Sequence, residues 1–202
     1  MPVLAAGGAL AASGVGLGLA RTCERDFPRV AVLSSAFFTL SLVHIPAPGM
    51  HVHLVLCGLM GVLLGWAAFP AVAVALVLQA ALFGHGGLTA LGVNIVSMAA
   101  PGIVLAWACR PLLDPDRADR LSAGGFLIGF GSVVLSGWIA ALAVVASGRP
   151  LWTLGTAVLV AHLFLGLLEG ALTASILAYV GRARPELLTA AARTGSREVA
   201  HG

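Results

Sequence analysis

Long apolar runs alternate with three short charged breaks along this chain, and the runs predict helices. They fall near residues 3–20, 30–43, 52–65, 67–83, 87–109, 124–147 and 153–181. Several are shorter than the roughly 20 residues that cross a bilayer, so tilt or re-entry is expected. The breaks are 21–29 (RTCERDFPR), 110–120 (RPLLDPDRADR) and the tail from Arg182 onward. With seven helices and the N-terminus outside, all three fall on the cytoplasmic side, where basic residues accumulate. They hold ten of the eleven arginines, leaving Arg149 opposite, and a miscounted helix would destroy that bias. The expectation is an all-α polytopic membrane bundle of about seven transmembrane helices, with the C-terminus cytoplasmic. Residues 1–202 form one integral membrane domain, and 182–202 a flexible cytoplasmic tail.

Composition agrees with this pattern. Hydrophobic residues make up 59% of the chain and charged ones 9%, against about 25% charged in a soluble domain. A surface facing water all round is excluded. The stretch after Met1 has no basic residue before Arg21, so it reads as a first membrane helix and not as a signal peptide. Along it Gly8, Ala12, Gly16 and Ala20 place a small residue at every fourth position, a stripe that would admit a neighbouring backbone. No long internal repeat is visible, so an inverted-repeat transporter is not indicated.

Several chemistries drop out. Cys23, Cys57 and Cys109 are odd in number and far apart, giving neither a disulfide framework nor a cysteine zinc site. All eleven basic residues are arginines, so a phosphate-binding loop ending in lysine is impossible, and any use of ATP falls to a partner. H-E-x-x-H and G-x-S-x-G are absent. The net charge of +3 reflects topology and implies no nucleic acid.

Three segments could carry chemistry. In HIPAPGMHVH, Pro46, Pro48 and Gly49 enforce a non-helical turn with His44, His51 and His53 on its flanks. Imidazole is a common ligand for Ni, Co, Cu and Zn. An extended chain would point His51 and His53 the same way; a helix would splay them and put His53 on one face with Cys57. Cys57 is a possible thiolate ligand, though a small buried apolar role fits it better. In LFGHGGLTALGVN, glycines surround His85 in a tight turn, and Asn94 follows inside the next helix, where helix–helix adhesion is the plain reading. In AHLFLGLLEGALT, His162 and Glu169 share a helix face within the membrane. A structural hydrogen-bond anchor is favoured there over a proton relay or a second cation site.

Taken in order, HIPAPGMHVHLVLCGLMGVLLGWAAF, LFGHGGLTALGVN and HLFLGLLEGALTA…RARPELL resemble the CbiM/NikM family, the substrate-capture components of cobalt and nickel energy-coupling-factor importers. The likeness covers most of residues 30–190. It implies a subunit of the bacterial cytoplasmic membrane that takes Co²⁺ or Ni²⁺ from outside as transported substrate, with no resident cofactor. The implied partners are a transmembrane coupling subunit and two cytoplasmic ATPases, with room for a small accessory membrane subunit.

In that family an N-terminal Met-His supplies amine, amide and imidazole nitrogens, and a histidine before the third helix completes a planar site suited to Ni²⁺ or low-spin Co. By register that histidine is His53, and Asn94 would support the site from behind. This chain departs by opening Met1-Pro2-Val3, which cannot form such a chelate. A misplaced start is the favoured explanation. The other is a site rebuilt with His51, where the family tends to have Ser or Thr, and His85, where it tends to have Asp. Two other functions are weighed: a membrane enzyme using His162 and Glu169, and a non-transporting homologue.

Overall fold

The computed structural model describes residues 2–47, 50–84, 87–146 and 151–188, of which 44–47, 50–52, 151–155 and 157 are described by backbone alone. Among the described residues there are seven α-helices and one hairpin, besides three short 3-10 turns: α1 (Pro2–Arg21), α2 (Phe27–Ser41), β1 (His44–Ala47), β2 (Met50–His53), α3 (Cys57–Leu64), α4 (Ala68–Phe83), α5 (Leu91–Ala108), α6 (Ala118–Ala146) and α7 (Leu151–Ala183). Among the described residues, five stretches are long and apolar enough to cross a membrane, with α3 and α4 counted as one. Large apolar side chains such as Leu10, Val32, Leu82, Trp107, Phe164 and Tyr179 lie exposed on the outside of the bundle, as they would against lipid.

The charged breaks gather at one end. Arg21, closing α1, lies over the Trp66 ring at the α3–α4 turn, 4.9 Å from its centroid. Arg29, opening α2, donates to the Leu63 carbonyl near the end of α3. Leu121 at the start of α6 packs under Gly181 at the end of α7, and Leu188, just beyond α7, is buried with it. Gln79 and Ser41, hydrogen-bonded to each other, tie the far ends of α4 and α2. Residues 189–202, the rest of the expected tail, lie outside the described residues.

The third crossing differs from the helix expected over 52–65. The chain descends as strand β2 and three irregular residues, and turns helical only at Cys57. His53 therefore sits in a strand and shares no helical face with Cys57. The hairpin pairs its backbone first, and Leu56 then stands in the left-handed region (φ 48°, ψ 33°) as the residue capping α3. With eight residues α3 is about 12 Å long, well short of the roughly 30 Å apolar thickness of a bilayer. The chain reverses at Gly65, whose φ of 54° suits glycine, and α4 climbs back.

The small-residue stripe on α1 is also displaced from expectation. Gly8, Ala12, Gly16 and Ala20 are exposed, while Gly7, Ala11, Gly14 and Gly18 are buried. A Cβ on Gly14 would meet the Phe69 ring at 2.5 Å, whereas one on Gly16 would meet nothing within 4 Å. The expected stripe steps by four throughout and the buried one by four, three and four; both are helical spacings, and the packing of α4 and α5 chooses between them. At the other side of the molecule, α6 and α7 form the most extensive pairing, with Gly125, Gly129 and Gly137 on α6 allowing close approach.

Candidate functional site

The site is organised around α3, whose eight residues are all buried. Glycine makes this possible. A Cβ on Gly58 would lie 2.7 Å from the Gly129 Cα of α6, and one on Gly61 would lie 2.1 Å from the Gly102 carbonyl carbon of α5. Gly102 is equally constrained, because its Cβ would fall 2.0 Å from the Cys57 carbonyl oxygen. Backbone therefore touches backbone on two sides. Cys57 is packed among apolar neighbours in the core, in line with a small apolar role.

A helix buried at both ends leaves orphan amides and carbonyls that no water can serve. Side chains from other helices serve them here. The N–H groups of Val55, Leu56 and Cys57 donate to the Glu169 carboxylate, which lies near the middle of α7 and is 0% exposed. At the opposite end the half-buried Arg29 guanidinium of α2 donates to the Leu63 carbonyl. Each charge suits the helix dipole it meets, negative at the N-terminus and positive at the C-terminus.

Directly before this capped segment stands the hairpin. Its ladder pairs His44 with His53 and Pro46 with His51, so three histidines lie within one two-stranded unit that runs against α7. His53 is half-buried. The side chains of His44 and His51, and the whole of His85, lie outside the described residues. Gly84 and Gly87, which flank that segment, have φ of 67° and 61°, a conformation that suits glycine. Among the described residues, no group of three or more His, Cys, Asp or Glu side chains forms a metal-sized cluster. Asn94 is half-buried in the first turn of α5, where its carbonyl accepts from the Ser97 hydroxyl at 3.1 Å.

His162 and Glu169 lie two turns apart on α7 and do different things. The His162 Nδ1 lies 2.7 Å from the Val158 carbonyl of its own helix, and its ring fills the space beside Gly137. Glu169 reaches across to α3. Both act as hydrogen-bond anchors, and no contact described joins them. Sequence reasoning missed Arg29, the glycine contacts of α3, and the amides at 55–57. Gly58 and Gly61, three apart in an apolar run, were the available signal.

A buried half-helix entered through irregular backbone, shielded inside a helical bundle, marks a polytopic α-helical membrane protein in which other helices satisfy the non-helical backbone. The family comparison is more specific. The profile of the cobalt uptake substrate-specific transmembrane region matches residues 1–187, and the chain belongs to that family. It is 35% identical over 194 residues to a proposed metal transport protein of Haemophilus influenzae, covering 93% of this chain and 92% of the relative. It is likewise 35% identical to the cobalt transport protein CbiM of Sorangium cellulosum, over 84% of this chain and 81% of that one. The crystal structure of a truncated transition metal transporter superposes with a TM-score of 0.71 at 26% identity, over 89% of this chain and 93% of that one. These relatives are named as metal transport proteins, which supports a transporter rather than an enzyme.

Proposed function

We propose that this chain captures Co²⁺ or Ni²⁺ at the outer face of a bacterial cytoplasmic membrane and passes it inward as the substrate-binding subunit of an ATP-driven energy-coupling-factor importer. Family membership supports the metal, and the arginine-rich end supports the orientation, with the hairpin on the outer side. The coupling membrane subunit and two ATPases would supply the energy that a chain without a phosphate-binding lysine cannot.

The observation that carries the reading is the hairpin itself. Its ladder sets His44 opposite His53, and the strand leads straight down to the capped end of α3. His53 is the primary ligand in this proposal. His51, His44 and His85 are its companions if the chain begins as Met1-Pro2, and Asn94 supports them from α5. The enzyme reading has no comparable support, since the His162 and Glu169 side chains are each engaged with backbone groups.

Calorimetric titration of Ni²⁺ and Co²⁺ into detergent-purified protein tests the proposal, using the chain as given and a form extended by Met-His-Ile. Tight binding by either form, lost in His53→Ala, is expected. Binding by neither form would overturn metal capture and favour a non-transporting homologue.

A further inference from the structure

We infer that Glu169 is a positioning residue for metal capture: from α7 it holds the backbone of 55–57 so that the strand ending at His53 is presented at a fixed depth and angle. This rests on the reading of His53 as a ligand. The carboxylate contributes no donor to the ion. It acts through the chain segment that follows the histidine.

Three observations combine. The first is sequence distance: Glu169 lies 114 residues from Val55, yet it accepts from that amide and from the next two. The second is burial, because Glu169 is 0% exposed and no solvent can replace it as acceptor. The third is the position of the contact. Only Leu54 stands between His53 and the first clamped amide, so a shift of the clamp is transmitted toward the imidazole through a single intervening residue.

A second cation station at Glu169 fits the same carboxylate less well. Its other oxygen and the Thr173 hydroxyl, one turn along α7, are both buried and have no hydrogen-bond partner among the described residues. Two oxygens are too few for Co²⁺ or Ni²⁺, which take four or more donors. The α3 N-terminus also brings its positive dipole end to the same spot, which opposes a cation.

The test compares Glu169→Gln with Glu169→Leu in the full chain, in both N-terminal forms, by Ni²⁺ and Co²⁺ titration. Alkylation of Cys57 by a small maleimide, read by mass spectrometry, is followed in parallel. Glutamine keeps an acceptor for the amides, so a loss of only a few-fold in affinity is expected. Leucine removes it, and a loss of about 10- to 100-fold is expected, the range for groups that orient a metal ligand from behind. With the clamp gone, Cys57 at the first turn of α3 should label faster while Cys109 labels as before, which separates local release from general unfolding. Wild-type affinity in Glu169→Leu, equal losses in both variants, or an unchanged Cys57 rate would each overturn the inference. If wild-type protein binds no metal, the capture reading has failed, and the Cys57 rates still decide whether the clamp exists.

Discussion

The two ends of α3 are capped in the same way and differ in what surrounds them. At the N-terminal end Glu169 is sealed from solvent and serves three amides next to the histidine hairpin. At the C-terminal end Arg29 is half-buried at the arginine-rich face and serves one carbonyl beside the Gly65 reversal. A fully buried acceptor cannot be replaced by water, whereas a half-buried donor can be replaced in part. The difference teaches that fixed geometry is concentrated on the side where the ion would arrive.

Five substitutions would break or sharpen that contrast, each read as thermal unfolding of the purified protein in detergent. The largest effect is expected from Gly102→Val, which forces side-chain atoms into the Cys57 carbonyl and should cost about 3 kcal/mol or abolish folded protein. Glu169→Leu comes next, at about 2 kcal/mol, because buried amides lose their acceptor. Arg29→Met keeps the apolar stem and removes the donor; the side chain is only half-buried, so a smaller loss of about 1 kcal/mol is expected. The smallest is Gly16→Ala on the outward face of α1, within about 0.5 kcal/mol. Its companion Gly14→Ala should be clearly more damaging, since its Cβ meets Phe69. An Arg29 effect as large as that of Glu169 would remove the asymmetry.

Much of the helical framework was legible in the apolar runs, because membrane burial demands them and the arginines mark one end. The third crossing was not. Residues 54–64 are apolar nearly throughout, and an apolar run does not distinguish a spanning helix from a buried half-helix entered by a strand. Histidines 44, 51 and 53 were visible as a cluster, and the prolines and glycine between them signalled a non-helical turn. Their pairing across a ladder depends on backbone hydrogen bonds that no residue type announces. His162 and Glu169 show the same limit on α7. Their spacing predicts a shared face, but one side chain bonds its own helix and the other a segment more than a hundred residues away.

Leu56 gives the third crossing a mechanical property. It is the one non-glycine residue with positive φ among those described, and a leucine in that conformation is disfavoured by roughly 1–2 kcal/mol relative to the right-handed one. Its side chain, like those of its apolar neighbours, suits an ordinary helix. The segment is thus a loaded spring: the fold holds it in a nick that its own preference would close. Released, Leu56 would return to the right-handed form, α3 would wind upward toward the hairpin, and each added residue would rotate the chain above it by about 100°.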